Sequence, residues 1–291
     1  MKIGLQAIGI GAGARPDVLR ALACAAEVAG FATLWAGEHV VLFDRQGSKY
    51  PYSEGGEFPM AGAVDWLDPF AALGFAGAVT TTIGLATGIC LVPEHNPLIL
   101  AKQVASLDRL SGGRFALGVG VGWMAEEFAA LGVPFARRTQ RTSEYVTVMR
   151  RLWREDTTSF HGEFVHVDGV RSFPKPVRGA VPILMGGESQ AALARAASYG
   201  DGWYGFNLAV DEAAERIALL ERLLAERGRD RATFRVVVAP FTKALGPGDL
   251  ARYSARGVDE LVVVDAAPER ADAVAPWIDA LATRWCLRDL T

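Results

Sequence analysis

Short apolar runs with strand character alternate with amphipathic helical patterns along the whole of this 291-residue chain. The strand candidates are residues 3–8, 32–36, 83–89, 115–119, 183–185, 202–204, 235–239 and 260–264. The helical candidates are residues 17–29, 69–79, 97–110, 139–153, 189–199, 211–227, 248–255 and 268–284. Parallel strands need a crossover helix between neighbours, and eight such units close a cylinder. The predicted fold is therefore α/β, a (β/α)8 TIM barrel, with residues 1–291 as one domain. A doubly wound open sheet is the structural rival. The helices carry the stripe that a barrel requires. Leu219, Leu220, Leu223 and Leu224 recur at helical spacing, with Glu215, Arg216, Glu221, Arg222 and Glu226 on other faces.

Two segments break the rhythm. Residues 40–66 are far longer than a usual connection, and long loops in compact barrels are lids or binding loops. Tyr50, Pro51, Tyr52, Phe58 and Trp66 give this loop an aromatic surface that suits an apolar substrate, a partner interface or simple packing. Residues 158–173, with Phe160, Phe164 and His166, read as a small β insertion and not as another βα unit.

Composition narrows the function classes. A formal charge of −3 offers no basic face for nucleic acid. Cys24, Cys90 and Cys286 lie far apart without a CxxC pair, which argues against a disulfide framework or zinc site and fits a reducing cytoplasm. The start of the chain lacks the apolar run and cleavage site of a signal peptide. Residues 69–93 are uncharged up to Pro93 and long enough to span a bilayer. Thr80, Thr81 and Thr82 divide that run, so a buried helix, a turn and a buried strand explain it better than a membrane span.

In a barrel, function gathers where strands end and βα loops begin. Those positions read Gln6 and Ile8, Glu38 and His39, Gly88 and Ile89, Gly120 to Gly122, Gly186 and Gly187, then Asp201, Trp203 and Asp265. The rim is rich in glycine and poor in charge, which suits a flat conjugated ligand better than a metal or a sugar phosphate. The stretch LDRLSGGRFALGVGVGWMAEE, residues 107–127, is the most telling part. Ser111, Gly112 and Gly113 end a helix, because glycine enters positive φ without steric cost. Gly118, Gly120 and Gly122 then leave a strand end without bulk. Their spacing is not the dinucleotide-binding fingerprint. His39 can pass protons near neutral pH and is the leading general acid/base candidate; it also reads as a histidine bonded to a backbone carbonyl. Glu38 would orient His39, accept a bond from a cofactor N–H, or pair with an arginine. His95 is a weaker candidate, and His161 and His166 are expected to face solvent. No two histidines have metal-ligand spacing, so no metal is expected. Gly186 and Gly187 precede Ser189, a helix-cap candidate, and such a helix start is either a phosphate site or an ordinary capped turn.

The segments LWAGEH (34–39), IGLATGICLVPEHNPLILAKQVASLDRLSGGRFALGVGVGW (83–123), PILMGGES (182–189) and GDGW (200–203) resemble the luciferase-like monooxygenase superfamily, in particular its branch using the deazaflavin coenzyme F420. The resemblance implies a TIM barrel with the cofactor lying across the carboxyl ends of the strands. It implies a non-prolyl cis peptide on the third strand, here at Gly88–Ile89. It assigns cofactor contact and proton transfer to Glu38 and His39, and further cofactor contact to Gly88, Ile89, Gly120, Val121 and Gly122. Gly186, Gly187 and Ser189 fall to the phosphate and tail. The implied activity is hydride transfer between the deazaflavin and a small organic substrate. The alternatives are an FMN-dependent monooxygenase served by a separate reductase, and a cofactor-binding protein without catalysis. Relatives commonly form homodimers. Trp123 stands where sugar-phosphate dehydrogenases of the branch place a catalytic carboxylate, with Glu126 and Glu127 a turn further on, and this favours an apolar or aromatic substrate.

Overall fold

The computed structural model describes residues 1–60, 63–246, 248–285 and 287. In chain order the first half runs β1 (Lys2–Gln6), α1 (Pro16–Val28), β2 (Thr33–Ala36), α2 (Pro69–Ala78), β3 (Gly84–Thr87), β4 (Cys90–Leu91), α3 (Pro97–Leu110), β5 (Phe115–Gly120), α4 (Ala125–Ala130) and α5 (Arg138–Arg154). The second half runs β6 (Thr158–His161), β7 (His166–Val170), β8 (Ile183–Gly186), α6 (Gln190–Tyr199), β9 (Gly202–Phe206), α7 (Val210–Ala225), β10 (Arg235–Ala239), α8 (Asp249–Ala255), β11 (Glu260–Val264) and α9 (Val274–Arg284).

Parallel pairings run β1–β2–β3–β5–β8–β9–β10–β11 and return to β1, so the sheet closes into an eight-stranded barrel. Closure removes every free edge, and it decides against the open doubly wound sheet. Alternate residues of each strand face opposite ways. Ile3, Leu5, Leu34, Leu85 and Leu117 pack outward beneath the helices. Trp35, Ala86, Ala116, Leu184, Tyr204 and Val237 fill the interior. Small residues on β3 and β5 face large ones on β2 and β9, which lets one layer of side chains fill the cylinder. Below that layer Glu260 is fully buried and takes bonds from Trp35 Nε1 at 2.8 Å and Thr33 Oγ1 at 3.3 Å, and it pairs with Arg235.

The third strand is interrupted. β3 stops at Thr87, the Gly88–Ile89 peptide is cis, and β4 resumes at Cys90 against β5. The 69–93 run divides as its sequence suggests, and no helix among the described residues is long and apolar enough to cross a membrane. Residues 158–173 contain the antiparallel pair β6–β7, and His161 and His166 are exposed. Cys24 and Cys90 are free thiols; Cys286 lies outside the described residues, as do positions 61 and 62 of the long loop.

Three boundaries differ in ways that bear on the site. β1 ends at Gln6 because Gly9 turns the chain, its N–H bonding Gly13 O at 3.0 Å. β9 continues to Phe206 in register with β10, so its carboxyl end lies beyond Trp203. Helix α4, unanticipated from sequence, follows the glycines of β5 and ends where Gly132 takes a φ of 70°.

Candidate active site

A cavity of about 340 Å³ opens at the carboxyl ends of the strands. Glu38, His39, Gly88, Ile89, Gly120, Val121, Gly122, Gly186, Gly187 and Ser189 all line it, as does Gln6. Asp201, Trp203 and Asp265 do not. Asp201 precedes β9 and so lies at the opposite end of the barrel, where it receives bonds from Ile183 N and Arg150. Trp203 points outward and donates from Nε1 to Gly187 O at 2.9 Å. Asp265 is exposed.

The floor is built by absent side chains. A Cβ on Gly120 would stand 2.2 Å from Ile89 Cδ1, and one on Gly186 would stand 3.1 Å from the same atom. Beneath it Tyr204 donates its hydroxyl to Gln6 Oε1 at 3.1 Å, and Gln6 Nε2 donates to Gly88 O at 3.3 Å. Gly120→Ala should push Ile89 into the open cavity, where nothing resists it, so the fold survives. Overpacking of about 1–3 kcal/mol then falls on the bound ligand and weakens it roughly 10–100-fold. Fluorescence titration with the cofactor checks this; unchanged affinity would mean that the floor is not the binding surface.

The long loop forms the roof. Phe58, Trp66 and Trp123 set their rings around His39 with centroids 5.1, 5.0 and 6.0 Å away. The loop is tied down on both sides. Glu126 accepts from Gly47 N and Ser48 N at 2.6 and 3.0 Å. On the far side Tyr52 donates to Glu188 Oε2 at 2.9 Å, and Asn207 Nδ2 donates to Tyr52 O at 3.2 Å. Burial raises the Glu188 carboxyl above its usual range, opposed by its bonds from Phe206 N and Tyr52.

Adjacency in sequence does not pair Glu38 with His39, and this corrects the orienting role considered for Glu38. Glu38 Oε2 accepts from Leu91 N at 2.5 Å, and Oε1 pairs with His95 Nε2 at 2.9 Å. Burial works to lower His95, but the hydrogen bond and charge of Glu38 outweigh it and raise the imidazole overall. The partner of His39 is Glu127, whose Oε2 lies 2.8 Å from Nδ1. Glu127 is fully buried, and its other oxygen takes Val40 N at 2.6 Å and Val41 N at 3.3 Å. A carboxylate on Nδ1 makes that nitrogen the donor and leaves the Nε2 lone pair free to exchange a proton.

Glu38, Cys90 and His95 also bring three potential metal donors within 4.8 Å of one another. Histidine spacing could not reveal this cluster, since it holds one histidine and Glu38 comes from a separate segment. Its groups already bond to each other and to Leu91 N, which accounts for their closeness without an ion.

At the other end of the cavity Ser189 caps α6, accepting from Ala192 N at 3.2 Å. Arg195, two turns into α6, lines the same wall, and its Nε is buried without a partner among the described residues. An orphaned guanidinium nitrogen beside a helix start is an anion-binding arrangement. Sequence reading missed Arg195, although it falls three residues after Ala192 and so on the same helix face.

A family model described as luciferase-like monooxygenase matches residues 4–252. An uncharacterized protein of Mycobacterium tuberculosis (strain ATCC 25618 / H37Rv) is 37% identical over 264 residues, covering 89% of this chain and 90% of its own. Two solved structures share the fold. An F420-dependent secondary alcohol dehydrogenase in complex with an F420-acetone adduct superposes with a TM-score of 0.72 at 18% identity, covering 96% of this chain and 98% of that one. The oxygenating constituent of 3,6-diketocamphane monooxygenase from the CAM plasmid of Pseudomonas putida, in complex with FMN, gives 0.71 at 16% identity, covering 97% and 96%.

Proposed function

The chain belongs to the luciferase-like monooxygenase family, and on that premise we propose that it is an F420-dependent oxidoreductase acting on a small apolar or aromatic substrate. The observation that carries this reading is one cavity that combines a side-chain-poor floor, an aromatic roof and a histidine, His39, held by Glu127. The residues present fit a flat tricyclic ring with an anionic tail. Gly88, Ile89, Gly120, Val121 and Gly122 would face the ring, with Gly120 leaving Ile89 the room that a Cβ there would take. Gly186, Gly187, Ser189 and Arg195, whose Nε is unpartnered among the described residues, would hold the tail. A deazaflavin supplies two-electron hydride chemistry when bound.

The chain's own residues then orient, exclude water and move a proton. Tyr50, Phe58, Trp66 and Trp123 wall off the space next to His39. His39 exchanges the proton that accompanies hydride transfer, at Nε2, while Glu127 fixes the ring from Nδ1. Glu38 shapes the wall, its oxygens held by Leu91 N and His95 Nε2 and not by His39.

Titrating the protein separately with F420 and FMN tests the cofactor assignment. Saturable F420 binding with a perturbed chromophore is the expected result. Tight FMN binding without F420 binding would replace the reading with that of a flavin monooxygenase. A chromophore that binds but never changes redox state across a broad compound panel would favour a carrier without catalysis.

A further inference from the structure

Among the described residues, Glu94 is the carboxyl with both oxygens buried and neither hydrogen-bonded. It ends the 3-10 turn Val92–Glu94 that follows β4 and is 9% exposed. Its Oε1 lies 3.2 Å from the point where a Cβ on Gly122 would stand, and the Phe128 ring crowds that point at 2.5 Å. The group is therefore packed behind the floor of the cavity, against apolar surface. The ionisable groups that act on it are Glu127 of α4 and Glu38 beyond β2, and Glu94 in turn helps to raise the buried Cys90 thiol of β4. Arg138 of α5 approaches the same corner, donating from Nε to Gly122 O at 3.0 Å. Glu38 and Glu127 each hold one histidine, at 2.9 and 2.8 Å.

We infer that Glu94 is a positioning residue for His39, acting through Glu127 as the third carboxyl of one buried cluster. The inference rests on the proposed role of His39. Of the three carboxyls Glu94 is the costliest to ionise, because Glu38 and Glu127 each hold a histidine and it holds none. Glu94 gains nothing, having no partner. Burial foremost, then the charges of Glu127 and Glu38, push it up to about 9. At neutral pH it is an uncharged acid, and Glu127 stays committed to Nδ1 of His39. When Glu94 ionises, a second negative charge enters beside Glu127 and alters the field at the imidazole. The sign for stability follows from proton uptake. The folded chain holds a proton that the unfolded chain releases near 4.5, so stability falls as pH rises from there to about 9 and levels off beyond.

The test uses the full chain with 15N-labelled histidine, four residues in all, with the His39 signals assigned from the loss seen in His39→Gln. Wild-type His39 is expected to show an inflection near pH 9 in its ring nitrogen shifts. Glu94→Gln should abolish that inflection, and Glu94→Asp should keep one at a displaced pH. Between pH 5 and 9 the melting temperature of wild type should fall relative to Glu94→Gln. A wild-type His39 that is silent above pH 8, or an inflection that survives in Glu94→Gln, overturns the proposal. A purely structural Glu94 would move the melting temperature and leave the His39 signals alone. None of these readouts needs a cofactor, so failure of the F420 titration and failure here remain separate results.

Discussion

Replacing His39 with alanine should lower turnover by roughly 10²–10⁴-fold, the usual contribution of a positioned acid or base, while cofactor affinity changes little. The asymmetry has a structural cause. His39 stands under the aromatic roof, whereas the floor and the Arg195 end are built by other segments. The alanine variant keeps those surfaces and loses the proton acceptor. Glu127 then retains Val40 N and Val41 N as donors, so the loop's entry into the site stays tied down. Turnover and cofactor titration should be measured on one preparation, with a substrate found by following the chromophore. Undiminished turnover would remove His39 from the chemistry. Equal losses of affinity and turnover would make it a binding residue instead.

The second large effect concerns stability. Glu260→Ala should cost about 3 kcal/mol, the low end for breaking a buried pair, because Arg235 is 34% exposed and water can take up part of its charge. The alanine also strands Trp35 Nε1 in a fully buried position, where an unpaired donor costs about 1–3 kcal/mol. On a chain of this size the melting temperature should drop on the order of 10 °C. Glu260→Gln should lose less, since an amide oxygen can still accept from Trp35. Calorimetry on both variants checks the order. A fall smaller than about 2 °C for the alanine would show that the pair contributes little net stability, as some buried pairs do.

These two predictions draw unequally on what could be read without coordinates. His39 was visible because it follows a buried strand directly, and strand ends are where barrels place their chemistry. Its partner was not. Glu127 lies 88 positions away, on a helix of six residues that periodicity is too short to reveal. The signal was present in the helix formers of MAEEFAALG and its closing glycine, but nothing in it pointed to His39. Glu38 shows the converse. Its adjacency to His39 suggested a pair, yet successive residues leaving a strand point to opposite sides. Glu38 reaches Leu91 and His95 on one side, and His39 reaches Glu127 on the other. Asp201 was misplaced for a simpler reason. It precedes the strand even as read at 202–204 and so belongs at the amino end, while β9, running on to Phe206, carries the rim past Trp203.

The sequence by itself determined the alternation of eight strand–helix units and the glycine-lined shelf. Each of these follows from local periodicity or from the absence of a side chain, and both are written along the chain. Only the tertiary structure decided which carboxylate holds which histidine, that Arg195 shares a wall with Ser189, and that Glu94 is left without a partner. Those relations join segments brought together by closure of the cylinder. Their energies depend on burial and on separation in space, and neither quantity exists until the strands have met.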